Sequence, residues 1–198
     1  MTASLAPALL LAATASAAAA QCPTVTDMAA GVQFETSAGE HETFRQTNPT
    51  LVEALLDFGA GDASRTLLAK GIYLLEVVDI HDGVPQGDTR TTFSYPVGHA
   101  EMPDPAPGGT WSVTAATLHD GRIDSEAQDY SFGAIDSRDY GGCSYAMMEI
   151  TIRYPNEDDP LRRDVLHYLP DLGLSYLAEY HDKDGSDVYD YIKIEPVK

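Results

Sequence analysis

Positive charge is what this chain has least of: 12 Lys and Arg stand against 31 Asp and Glu, a formal net charge of -19 at neutral pH. A field of that sign repels phosphate backbones and anionic lipid surfaces, which excludes nucleic acid as a partner and favours cations or basic groups. Long apolar runs are missing beyond residue 20, so no later segment suits a stable membrane-spanning helix. Cysteine is limited to Cys22 and Cys143, with no Cys-x-x-Cys pair. Also absent are a Gly-x-Ser-x-Gly elbow, a His-Glu-x-x-His helix and a phosphate-cradling glycine loop. No catalytic residue is assigned on these grounds.

What is present begins with a leader. Residues 1–20 read MTASLAPALLLAATASAAAA, an apolar centre around Leu9–Ala13 followed by a small-residue tail ending in Ala-x-Ala. That is the pattern of a secretory signal peptide, here without the usual basic residue near its start. Its centre is too short and alanine-rich to anchor, and Gln21 before Cys22 argues against a lipid anchor. Cleavage after Ala20 is expected, leaving 21–198 as a single domain, periplasmic or extracellular. In an oxidising compartment two cysteines have one intramolecular pairing. A Cys22–Cys143 disulfide would tie the new N-terminus to the central strand, contributing about 4–5 kcal/mol through loop-closure entropy.

The rest of the chain alternates with a two-residue period. Ala146, Met148, Ile150, Ile152 and Tyr154 fall on one side of an extended segment, and Met147, Glu149, Thr151 and Arg153 on the other. This is a half-buried strand with a charged outer face. A loop over 156–163 leads to a strand over 164–169, and Pro170-Asp171-Leu172-Gly173 makes a turn. Leu174, Tyr176, Ala178 and Tyr180 resume the alternation, and Asp184-Gly185 predicts a hairpin before a strand over 188–194. Earlier, strands are expected over 32–36, 43–47, 52–58, 64–70, 72–80 and 89–95, with 64–80 central. The Pro- and Gly-rich stretch 96–109 reads as a surface loop, the strand from Trp111 follows, and Arg122–Phe132 reads as a solvated edge strand or loop. The fold class is therefore mainly β, an antiparallel meander of about ten strands curling into a barrel, roll or sandwich.

The segment Tyr168-Leu169-Pro170-Asp171-Leu172-Gly173-Leu174 resembles the Tyr-x-Pro-x-x-Gly-Leu strand-turn-strand near the end of several families of uncharacterised secreted bacterial β-proteins. In those families the turn is more often Pro-Gly, whereas Asp171 stands here. The resemblance covers the last third of the chain. It implies an envelope-associated β-fold and transfers no catalytic residue.

Two groups of residues stand out as binding candidates. Tyr145, Tyr154, Tyr168, Tyr176 and Tyr180 belong to a tyrosine-rich second half. A tyrosine offers a flat apolar face and a polar tip to a ligand, although strand propensity also explains most of these positions. Asp182, Asp184 and Asp187 are closely spaced carboxylates of the kind calcium uses. Aligned on Gly185 as a helix-loop-helix calcium site, however, the first and last ligand positions fall on Tyr180 and Tyr191, which also fits a plain hairpin tip. No other cofactor is expected. These features point to an exported, non-catalytic domain binding a small ligand or envelope component. The competing expectations are a secreted hydrolase with a long-range His/carboxylate site, and a cation-stiffened structural or adhesion module.

Overall fold

A computed structural model describes residues 22–155 and 159–197; the expected signal over 1–20 lies outside the described residues, as do 156–158 of the acidic loop. After a short 3-10 helix, Val25–Ala29, come β1 (Val32–Thr36), β2 (His41–Asn48), β3 (Leu51–Gly59), β4 (Asp62–Ala69) and β5 (Tyr73–His81). Short strands β6 (Val84–Pro85) and β7 (Thr91–Ser94) precede β8 (Thr110–His119), β9 (Arg122–Tyr140) and β10 (Cys143–Arg153). The last four are β11 (Arg163–Leu169), β12 (Leu174–Asp182), β13 (Gly185–Val188) and β14 (Tyr191–Pro196). The mainly β, antiparallel architecture agrees with the period-two reading, and the short pieces raise the strand count to 14 in one sheet.

The sheet order is β13-β12-β11-β10-β9-β8-β7-β5-β4-β3-β2-β1-β14, with β6 paired to β5. The chain's last strand thus lies outside its first. The end strands β13 and β14 share no ladder among the described residues, so the sheet is open and curled rather than closed into a barrel. Two residues, Tyr189 and Asp190, connect those ends. Tyr189 N–H donates to Ala178 C=O (2.8 Å), and Asp190 C=O accepts from Ser37 N–H (2.7 Å). This corrects the single strand expected over 188–194. Tyr191 and Ile194 gain more by turning in against β1, where both are buried and the Tyr191 ring sits 5.9 Å from that of Phe34.

The strand β9 hands the sheet from one partner to another. Its residues Arg122–Ser131 pair with β8, and Asp129–Tyr140 pair with β10. Opposite the step from Met148 to Ile150, β9 advances from Ile135 to Phe132, so it carries an extra residue at Gly133–Ala134. Such a bulge inverts which face later residues present. Tyr130, Phe132 and Tyr140 therefore share a parity yet serve different cores. Arg122–Ser125 are exposed, as a solvated edge requires, but Gln128 is only 3% exposed. That half of the expectation is corrected.

Two apolar cores result. The first gathers Met28, Phe34, Phe44, Tyr140, Cys143, Tyr145, Leu174, Tyr176 and Tyr191; the second gathers Tyr73, Met102, Tyr130, Phe132, Met148, Ile150 and Ile152. The strand β10 serves both, Cys143 and Tyr145 from one parity and Met148, Ile150 and Ile152 from the other. Cys22 and Cys143 form the expected disulfide, with Cα atoms 5.4 Å apart. Across the roll, the β4–β5 turn meets the β11–β12 turn. Gly71 C=O accepts from Ser175 N–H (2.8 Å) and Ser175 Oγ (2.6 Å). Gly71 has φ of +68°, and a Cβ there would collide with the backbone of Gly173 and Leu174.

Candidate functional site

Two stretches of the sheet, far apart in strand order, share one interior cavity. On one side the ladder aligns Phe44, Ala54, Thr66 and Val77 across β2 to β5. On the other it aligns Tyr130, Ile152 and Asp164, with Leu166 beside Leu177 in the next row. All of them line a cavity of about 280 Å³. Cross-strand partners project to the same face, so these rows can share a space only because the sheet rolls over on itself.

The wall is mostly aliphatic and aromatic but carries a connected polar arc. The hydroxyls of Tyr95 (3.1 Å) and Tyr130 (2.8 Å) donate to Gln128 Oε1, and Gln128 Nε2 donates to Glu126 Oε1 (2.6 Å). Glu126 Oε2 lies 3.5 Å from Arg162 Nη2, and the Arg162 guanidinium sits 4.2 Å over the Tyr154 ring. Tyr154 donates to Asp164 Oδ2 at 2.5 Å. The other carboxyl oxygen, Asp164 Oδ1, is buried with no hydrogen-bond partner among the described residues. Burial raises the Asp164 pKa, while the Tyr154 hydroxyl and Arg162 pull the other way.

A second carboxyl, Glu42, also lines the cavity and accepts from Tyr191 Oη at 2.5 Å. Its residue retains some accessible surface, but the carboxyl itself lies buried within the fold. Burial pushes its pKa up to about 7, against the opposing effect of the Tyr191 bond. Behind the wall, Tyr176 Oη lies 2.8 Å from Tyr140 Oη and 2.9 Å from His167 Nδ1. Arg138 Nη1 is 3.2 Å from the same nitrogen. A guanidinium can only donate, so Nδ1 accepts and His167 is neutral. Burial first, then the Arg138 charge, bring its pKa down to about 4.

Of the predicted tyrosines, Tyr154 and Tyr176 line the cavity. Tyr180 is half-buried on β12, directly across from Asp164. Tyr145 is buried in the first core, donating to Pro23 C=O at 2.7 Å. Tyr168 packs beside the second core and lines a separate hollow with Lys70 and Asp104. The structure thus brings three of the five near one site. At the β12–β13 turn Asp182 Oδ1 accepts from the Asp184 (2.8 Å) and Gly185 (3.0 Å) amides, while Asp184 and Asp187 are exposed. Among the described residues no group of three or more His, Cys, Asp or Glu side chains is placed to hold a metal ion.

Sequence reasoning missed Glu42, Glu126, Gln128, Arg162 and Asp164. A signal for two of them was available. Glu126 and Gln128 share their parity with Tyr130 and Phe132, so a polar face running into an apolar one without a break marks a wall that passes from solvent to interior. Arg162 and Asp164 carry no such mark.

No family model matches the chain, and no curated protein matches it. Among solved structures, the hypothetical lipoprotein YmcC from Escherichia coli (K12) matches with a TM-score of 0.46 and 10% sequence identity, over 84% of this chain and 87% of that one.

Proposed function

We propose that the chain is an exported, non-catalytic β-domain that takes a small, mainly apolar ligand into the cavity of its roll. The observation that carries this reading is the cavity of about 280 Å³. Protein interiors are close-packed with few voids larger than a water, so interior space on this scale calls for a use. It falls near the low end of small-molecule sites, which run from about 300 to 1,000 Å³ and pair apolar walls with a few converging polar groups. Phe44, Leu68, Ile152 and Leu166 supply the walls, and the Gln128–Glu126–Arg162 arc supplies the polar groups. Tyr154 and Tyr176 add aromatic faces. Export is supported by the leader over 1–20 and by the Cys22–Cys143 disulfide, a bond that persists in oxidising compartments.

Titration of purified protein with an environment-sensitive apolar fluorophore tests the binding reading. Saturable binding is expected, abolished by Thr66→Phe, which fills the cavity, and unaffected by a control change at exposed Ser186. An unchanged isotherm in folded Thr66→Phe would remove the cavity from consideration. Mass spectrometry of protein recovered from a secreting host tests export. The expected mature chain begins at Gln21, and intact residues 1–20 would defeat that part.

A further inference from the structure

A second hollow, of about 320 Å³, lies where the β2–β3, β4–β5 and β11–β12 turns meet the 96–109 loop. Its rim is fixed by bonds between those segments. Lys70 N–H donates to Thr50 C=O (2.7 Å), Ser175 bonds Gly71, and Tyr73 Oη donates to Pro103 C=O (2.9 Å). Lys70 holds a φ of +51°, left-handed backbone that a long side chain rarely adopts. Its side chain is 16% exposed, and its ammonium reaches Asp104 Oδ1 at 2.6 Å. An ammonium has three donors, and among the described residues this bond engages one of them. Tyr168 lines the same hollow and is more telling. Its hydroxyl has no hydrogen-bond partner among the described residues and, unlike Asp164 Oδ1, keeps accessible surface. The buried tyrosines, by contrast, each bond their hydroxyl within the chain.

Lys70 and Asp104 are the charged side chains lining this hollow, and they are paired with each other, so it is neutral as a whole. An apolar occupant would strip water from Gln46, Lys70, Asp104 and Tyr168 without replacing its hydrogen bonds. An anion would meet Asp104 and the overall charge of -19, and a cation would meet Lys70. A hydroxyl both donates and accepts, which suits an amide, a phenol and a matched ion pair together. We propose that this hollow is a binding site separate from the interior cavity, for a neutral polyhydroxylated ring such as a pyranose sugar. Its hydroxyls bond Tyr168 Oη, the Gln46 amide and the Lys70–Asp104 pair, with its ring against Pro49 and Pro105. Burial first, then the Asp104 charge, raise the Tyr168 pKa, so the phenol remains a donor at neutral pH.

Methyl glucoside, protonated glucosamine and glucuronate share one ring and differ in charge. Each is titrated into isotopically labelled, disulfide-intact protein while backbone amide shifts are followed. Methyl glucoside should give saturable shifts at Thr50, Lys70 and Tyr168, and both charged rings should bind more weakly. Tyr168→Phe removes a hydroxyl that bonds nothing in the described chain, so its melting temperature should hold. Its affinity for methyl glucoside should fall about threefold to tenfold, the worth of one hydrogen bond. Ser186→Ala, exposed on β13, should change neither. If Tyr168→Phe does not fold, Gln46→Leu, at an exposed position, replaces it with the same expected loss. Unchanged affinity in the folded variant, or no saturable shift at these amides with methyl glucoside, would overturn the assignment. Equal or tighter binding of a charged ring would overturn it as well.

Discussion

The two faces of β10 look onto different kinds of interior. On the Cys143 and Tyr145 side the hydroxyls of Tyr140, Tyr145, Tyr176 and Tyr191 all have partners, and a disulfide closes the end. On the Ile152 side lie the cavity, three carboxyls and, among the described residues, one buried carboxyl oxygen with no donor. Both regions are rich in tyrosine, so composition does not separate them. They differ in that the tyrosine hydroxyls of the first are all matched, whereas the second leaves one buried carboxyl oxygen, Asp164 Oδ1, without a partner among the described residues. The first arrangement specifies a structure. The second suits a site that receives something, at a cost in stability.

Experiments can press on that contrast, beginning where the effect is greatest. Replacing both cysteines by serine should lower stability by about 3–5 kcal/mol, because a closure spanning this much chain is lost. Denaturant unfolding with and without reductant measures it. If the first interior serves to hold the fold, fluorophore affinity in the still-folded variant should barely change. Gly71→Ala places a side chain at positive φ against the backbone of Gly173 and Leu174. A loss of about 2–4 kcal/mol is expected, read as a lowered denaturation midpoint.

The titrating groups sharpen the comparison. Glu42 has a pKa raised to about 7 from 4.5, so its contribution is fully present below pH 4.5 and is lost as pH rises through 7. Glu42→Gln should therefore match the wild type near pH 4.5 and exceed it by about 2 kcal/mol above pH 8. Unfolding midpoints across that range would contradict the assignment if the gap failed to widen. His167 has the opposite sign. Its pKa is depressed to about 4 from 6.5, so its contribution is present above 6.5 and lost as pH falls through 4. His167→Gln should flatten that acid arm by about 1–2 kcal/mol. Between pH 4.5 and 6.5 the two groups oppose each other, and the double variant should show the flattest profile.

Much of the meander was legible in the linear pattern. The alternation from Met148 to Tyr154 and the turn at Pro170–Gly173 each follow from local chemistry. The strand at Arg163–Leu169 is also as expected. What stayed hidden depends on curvature. Nothing local to Glu42 announces that β9–β12 will roll over it, and nothing near Arg162 identifies Tyr154 and Glu126 as neighbours. The bulge at Gly133–Ala134 exchanges faces without leaving a mark in composition, since either phase of β9 contains apolar residues. The departure of β14 from β13 was equally silent. Its cause is a burial site beside Phe34, more than 150 residues away in the chain.

That last strand also governs when the fold can finish. Residues 32–36 wait with one flank bare until 191–196 arrive, so a chain made from its N-terminus cannot seal this seam before residues 191–196 are made. Contacts this distant in sequence slow the search for the native state. A chaperone-free refolding rate should respond far more to trimming the final eight residues than the small mass removed would suggest.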